Sequence, residues 1–194
     1  MQMPEENEIP AQATRRPAGL EAQGVVRHQG EVIRVEQYQF EIDGRQIRKD
    51  VVRHPGAITV IPIEADGTIL MVEVGRLAVG RMLLEFCAGK LEPEEPPLIA
   101  AGRELEEEVG RRAGHMEPIG AYFTSPGFCD ERMHAFVATD LSAVPQRLEL
   151  GEEIEVVRMT PELIDRAIFD GRIDDGKTIT AWHLFRAKHR DGGP

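Results

Sequence analysis

One stretch limits what this chain can fold into more than any other: GKLEPEEPPLIAAGRELEEEVGR, residues 89 to 111. Pro96 and Pro97 suit the first turn of a helix, where a missing N–H costs nothing. The spacing predicts a helix from about Pro97 to Val109. Leu98, Ala101, Leu105 and Val109 recur at the 3.6-residue period and form a core stripe. Glu104 and Glu108 are one turn apart and border that stripe, about 40° from each other at roughly 100° per residue. Glu107 lies nearby on the outward side. Glu106 points to the other flank and reads as solvated.

Two or three carboxylates on one edge of a partly buried helix repel each other. A hard divalent cation relieves that repulsion, and oxygen ligands with an octahedral preference suit Mg²⁺, with Mn²⁺ as a substitute. An ELEEE run taken alone is usually a solvated helix face. Arg103 reads as a residue that ion-pairs and orients a carboxylate. Gly102 inside the helix costs about 1 kcal/mol against Ala.

At 194 residues the chain is one ordinary domain, or one domain plus a small extension. A hydrophobic fraction of 41% supports a real core. The net charge of −11 argues against a nucleic-acid backbone or an anionic membrane as the main partner. An acidic protein that handles phosphates needs a metal, or local Arg and Lys, to invert the field at its site. No apolar run reaches the length of a transmembrane helix, and the start is polar and Pro-rich, unlike a signal peptide. Cys87 and Cys129 give no disulfide framework and fit a reducing cytoplasm. Both lie beside the proposed site and read as small buried residues, and no His sits in either motif to activate a catalytic thiol.

Residues 1 to about 18 read as a disordered or loosely attached tail. From Leu20 to about Arg53 the alternation of apolar and polar residues predicts antiparallel strands, with a hairpin turn at Asp43-Gly44. His54-Pro55-Gly56 breaks the pattern. Strands are expected at 57–64, 68–74 and 82–89. After the helix come MEPIGAYF, the loop TSPGFCDE, the strand MHAFVATDL, and a loop and strand in LELGEEIEVVRMT. PELIDRAIFDGRI reads as a helix capped by Thr160 with Pro161 at its first position. A last helix runs from Asp175 to about Lys188. Strands interleaved with three helices suggest an α/β (α+β) fold, a mixed sheet sandwiched between helices.

Gly89, Glu95, Arg103, Glu104, Leu105, Glu107, Glu108 and Gly110 fit the pattern G-x5-E-x7-R-E-U-x-E-E-x-G-U, where U is bulky and apolar. Arg111 alone departs, which bears on packing more than on chemistry. The pattern resembles the Nudix box, and from roughly Gly30 to Ala187 the chain resembles the ADP-ribose pyrophosphatase branch of the Nudix hydrolases. VVRHPGAITVIPIEADGTILMVE, AAGRELEEEVG, GEEIEVV and DGRIDDGKTITAWHL carry that resemblance. Pro126 in TSPGFCDE stands at the distance from Arg111 that marks ADP-ribose enzymes within the family.

The resemblance implies a Nudix fold over residues 56–194, with strands 19–55 forming a small sheet that mediates a homodimer. It implies that Glu104 and Glu108 bind Mg²⁺ together with the Ala88 carbonyl, and that Glu107 is a further ligand or orients one. Glu153, or its neighbour Glu152, supplies the remaining carboxylate as ligand or general base. Arg76 and Glu85 match positions that contact the substrate's diphosphate and ribose region, and Pro126 and Gly127 belong to the substrate loop. VEVGR replaces the usual Gln and aromatic residue before that Arg. His54, His134 and His183 have no ligand spacing and read as structural or solvent-facing. Asp174 and Lys177 read as part of a helix start.

The implied reaction is Mg²⁺-dependent cleavage of the diphosphate of ADP-ribose to AMP and ribose 5-phosphate by metal-activated water, in line and without a covalent intermediate. Glu152 or Glu153 would hold or deprotonate the water, with Glu108 as the other essential carboxylate. The nearest alternative is the same chemistry on GDP-mannose, a flavin dinucleotide or coenzyme A. Another is a nucleotide-sensing Nudix domain without turnover, against which the intact box carboxylates argue. A purely structural interaction protein leaves the box spacing unexplained.

Overall fold

The structure, a computed structural model, describes residues 18 to 189. The expected tail lies outside the described residues except for Ala18. The first three strands are β1 (Val25–Gln29), β2 (Arg34–Ile42) and β3 (Arg45–Arg53), an antiparallel meander in that order. Asp43 and Gly44 make the expected two-residue turn, both at positive φ (50° and 74°), as a hairpin of matching twist requires.

Seven further strands build the body: β4 (Ala57–Pro62), β5 (Ile69–Arg76), β6 (Arg81–Glu85), β7 (Cys87–Lys90), β8 (Arg111–Phe123), β9 (Arg132–Ala143) and β10 (Ile154–Met159). They form two sheets, ordered β7-β4-β9-β8 and β10-β5-β6. β4 and β9 run parallel, from Ala57 opposite Met133 to Pro62 opposite Ala138; the other pairs are antiparallel. Every residue of β4 is buried, which explains its unbroken apolar run. The strand expected at 82–89 is two strands in two sheets. The chain changes sheet at Phe86, which is fully buried and donates its N–H to Thr178 Oγ1 at 3.0 Å.

The helices are α1 (Pro97–Glu104), α2 (Pro161–Phe169) and α3 (Gly176–Lys188). α1 runs into one π-helical turn, Leu105–Val109, instead of staying α-helical to Val109. Gly110 ends it in the left-handed conformation at φ 65°, where glycine carries no Cβ penalty. Thr160 caps α2 by accepting from Leu163 N–H at 3.4 Å, and Asp175 caps α3 through Thr178 N–H at 2.9 Å.

Strand alternation assigns the two faces of the body. Ile58, Val60, Leu70, Val72 and Phe136 pack with Ala100, Ala101, Leu105 and Val109 beneath α1. Ile61, Ile69, Met71, Ala135 and Val137 pack with Ile164, Ala167, Ala181 and Trp182 beneath α2 and α3. Each such aliphatic side chain contributes about 1.5–3 kcal/mol when fully buried. The body is thus a set of mixed strands between helices. Leu98, expected in the stripe, is half exposed, whereas Ala100 and Ala101 are fully buried.

The end of β3 ties the N-terminal sheet to the body. Val52 N–H donates to Phe128 O at 2.7 Å, and Asp130 N–H returns to Val52 O at 3.1 Å. Arg53 then bridges Glu36 and Asp130, both at 2.9 Å. No described helix is long and apolar enough to cross a membrane.

Candidate active site

The segment before α1 and the turn after it face each other across an open cleft of about 350 Å³. Gly89, at the end of β7, lies directly against Glu104; a Cβ there would overlap the Glu104 carboxylate. This close approach accounts for the glycine. Arg103 holds the acidic wall together. Its guanidinium donates twice to Glu95 at 3.0 Å, to Glu104 at 2.8 Å and to Glu107 at 3.1 Å. The bonds to Arg103 hold Glu95 below the usual carboxylate range. Arg111 pairs with Glu64 at 3.0 Å, which explains how a charged residue is accommodated at the last position of the pattern.

Glu108 is the deepest of the helix carboxylates. It accepts from the Ala88 N–H at 3.1 Å. Burial pushes it up to about 7, and the neighbouring Glu104 and Glu152 add to the shift against the Ala88 bond. Burial also raises Glu104, although Arg103 opposes it. Both groups therefore sit in the cleft as carboxylates whose charge is incompletely balanced. The π-helical turn carries Glu107 and Glu108; such wider turns concentrate at functional sites.

Cations also line the cleft. Arg76, at the end of β5, makes a two-pronged pair with Glu85 at 2.9 and 2.6 Å. Glu85 is fully buried and is also bonded by Lys177 from the first turn of α3. Lys177 further pairs with Asp175 at 2.9 Å. Lys177 thus stands in a helix start, as expected, and also lines the cleft. A lysine in the first turn opposes the helix dipole; that mismatch was the local signal that it needed partners.

The loop before β10 brings Glu149 and Glu152 to the cleft. Glu152 also accepts from Glu149 N–H at 2.9 Å. Glu153 points elsewhere, into a shallow depression with Glu73, Met82 and Leu148. Pro126 and Gly127 lie in a turn closed by Phe128 N–H and Cys129 N–H on Ser125 O (3.1 and 2.9 Å). They do not border the cleft, whereas Glu131 and Met133 of the same connection do. His54 also borders it, although its sequence context gave no sign of this. Cys87 is buried with its thiol pushed well up by desolvation, so it is inert; Cys129 is only partly buried.

Among the described residues no three acidic, imidazole or thiol side chains already converge on one point; Arg103 bridges Glu104 and Glu107 instead. The donor set nonetheless fits a hard divalent cation. It consists of carboxylates around a cleft, and the deepest of them, Glu108, is destabilised in its charged form by burial.

The NUDIX domain family matches residues 52–182. The chain is 38% identical over 148 residues to an ADP-ribose pyrophosphatase of Bacillus subtilis, covering 75% of this chain and 80% of that one. It is 33% identical over 144 residues to a GDP-mannose pyrophosphatase of Pectobacterium atrosepticum, covering 70% and 74%. The fold matches the crystal structure of an ADP compounds hydrolase with a TM-score of 0.75 at 22% identity, over 93% and 97% of the two chains. The chain belongs to the Nudix family and is a Nudix hydrolase.

Proposed function

We propose that the protein hydrolyses the diphosphate bond of ADP-ribose, giving AMP and ribose 5-phosphate. The observation that carries this reading is the shared lining of one cleft: the carboxylates Glu104, Glu107, Glu108 and Glu152 border it together with Arg76 and Lys177. Similarity to the Bacillus subtilis enzyme supports the adenosine substrate. The related GDP-mannose pyrophosphatase supports a second reading, the same cleavage on a guanosine diphosphate sugar.

Glu104, Glu107 and Glu108, with the Ala88 carbonyl and Glu152, would hold Mg²⁺, or Mn²⁺ in its place. The cation would neutralise the diphosphate and acidify the attacking water. The protein's own groups do the rest. Arg103 keeps Glu104 and Glu107 in place. Arg76 and Lys177 supply positive charge against an anionic diphosphate. Glu152, facing the cleft, is better placed than Glu153 to take the water's proton. Attack in line on phosphorus transfers that proton to the carboxylate and breaks the P–O–P bond.

The N-terminal sheet is the surface we assign to a homodimer: β1 is exposed along its whole length, with Val25 and Val26 outward. The test of substrate is a panel of ADP-ribose, GDP-mannose and flavin adenine dinucleotide with Mg²⁺, read by chromatography of the products. Fastest turnover of ADP-ribose, with AMP released, is the expected result. Faster release of GMP from GDP-mannose would establish the second reading. Binding of ADP-ribose without any cleavage would make the protein a sensor.

A further inference from the structure

The segment His54-Pro55-Gly56, which joins the N-terminal sheet to β4, is built more rigidly than a connection needs. Pro55 fixes its own φ. Gly56 sits at φ 96°, and a Cβ there would lie 3.2 Å from Leu91 Cδ1 and 3.3 Å from Arg132 O. His54 N–H donates to Asp130 Oδ1 at 2.8 Å, while Asp130 Oδ2 takes Arg53 at 2.9 Å. Leu91 N–H closes onto Gly56 O at 3.0 Å. These bonds fix the backbone that carries the imidazole.

The ring has one polar edge committed. Gly56 N–H donates to His54 Nδ1 at 3.1 Å. Nδ1 lies 3.7 Å from Glu131 Oε1, beyond a hydrogen bond, so Gly56 decides the tautomer. A neutral ring with Nδ1 accepting carries its proton on Nε2. Among the described residues Nε2 has no hydrogen-bond partner, and the ring, 14% exposed, borders the cleft. Glu131 borders it too. Its Oε2 accepts from Thr124 Oγ1 at 2.6 Å, which leaves Oε1 available.

A directed donor beside a carboxylate acceptor matches a hydroxyl group, which both accepts and donates. It does not match a phosphate, because the Glu131 charge repels one. We propose that His54 and Glu131 form a sugar-hydroxyl subsite, His54 Nε2–H donating to a hydroxyl oxygen of the substrate's sugar and Glu131 Oε1 accepting that hydroxyl's proton. The proposal rests on the reading of the substrate as a nucleoside diphosphate sugar. His54 is a binding residue, and no bond to it forms or breaks.

Two variants separate this role from a structural one. Asn at 54 keeps an acceptor near Nδ1 but loses the Nε2 donor; Gln places a donor near Nε2 but loses the turn bond. His54→Asn is expected to retain Tm while raising KM and the calorimetric Kd for ADP-ribose about tenfold, the scale of one hydrogen bond. His54→Gln is expected to lose several degrees of Tm and to keep Kd within about threefold. Inhibition by inorganic pyrophosphate, which carries no sugar, should be unchanged by His54→Asn. The reverse pattern, Asn like wild type and Gln defective in binding, would overturn the proposal. An equal loss of pyrophosphate inhibition would overturn the sugar assignment. If the wild type turns over GDP-mannose instead, the adenosine reading fails and the same variants judge His54 on GDP-mannose. A wild type that binds neither nucleotide sugar overturns both.

Discussion

Two arginines in this protein do similar chemistry with opposite results. Arg53 bridges Glu36 and Asp130 at the root of the N-terminal sheet, with Tyr38 OH 2.6 Å from its guanidinium. Arg103 bridges Glu95, Glu104 and Glu107 at the cleft. In the first cluster the Arg53, Tyr38 and Arg34 bonds bring Glu36 down to about 2, against its burial. In the second, one guanidinium serves three carboxylates, and Glu108 behind them is pushed up to about 7 by burial, with Glu104 and Glu152 adding to the shift. A balanced cluster is a joint. An overcharged one stores repulsion that a cation can relieve, and perturbed carboxylates in a cleft are the mark of a working site.

The largest expected effect comes from removing the overcharge at its deepest point. Glu108→Gln should lower kcat by ~10³-fold or more at saturating Mg²⁺ with the fold intact. Near-wild-type turnover would remove Glu108 from the reaction. Without metal, the same variant should be more stable than wild type at pH 8 by ~2 kcal/mol. The sign follows from the raised acid: the folded state prefers the protonated carboxyl, so stability falls as pH rises from about 4.5 through 7. A urea titration at pH 5 and pH 8 would show the gap opening only at the higher pH.

Next in size is Gly89→Ala, whose methyl group would displace the Glu104 carboxylate; kcat/KM should drop ~10²-fold with little change in Tm. The joint should respond in the other way. Arg53→Ala should lower Tm by ~5 °C yet change kcat less than threefold. If turnover fell as far as for Gly89→Ala, the contrast between joint and site would collapse. Glu36 carries its own pH test. Its depressed pKa contributes stability above about pH 4.5 that is lost as pH falls through about 2. Glu36→Gln should therefore differ from wild type in urea midpoint at pH 6 and converge with it near pH 2. The smallest effect is Arg111→Leu, a surface-pair change worth under ~1 kcal/mol by urea denaturation.

The same contrast explains what the sequence made legible. The carboxylates of residues 104–108 share one helical segment, and their spacing is local, so period alone placed Glu104 and Glu108 on the core edge. The Thr160 and Asp43-Gly44 signals are equally local, and both elements formed there. The π-helical turn has no local signature, since the i, i+4 burial of Leu105 and Val109 suits an α-helix as well. The break between β6 and β7 depends on Phe86 meeting Thr178, and the place of Lys177 depends on Glu85, contacts between residues far apart in the chain. Which of Glu152 and Glu153 faces the cleft turns on a register against β5 that adjacent identical letters do not encode. His54 was unreadable for the same reason: its partners are Gly56 nearby and Asp130 and Glu131 across the fold.

We propose that the overcharged wall holds a divalent cation. Mn²⁺ binding followed by electron paramagnetic resonance, on the full chain and on Glu104→Gln and Glu108→Gln, tests it most directly. A bound-Mn²⁺ signal is expected in the wild type and at least tenfold weaker binding in each variant, with Glu36→Gln indistinguishable from wild type. Equal Mn²⁺ affinity in all four proteins would contradict it.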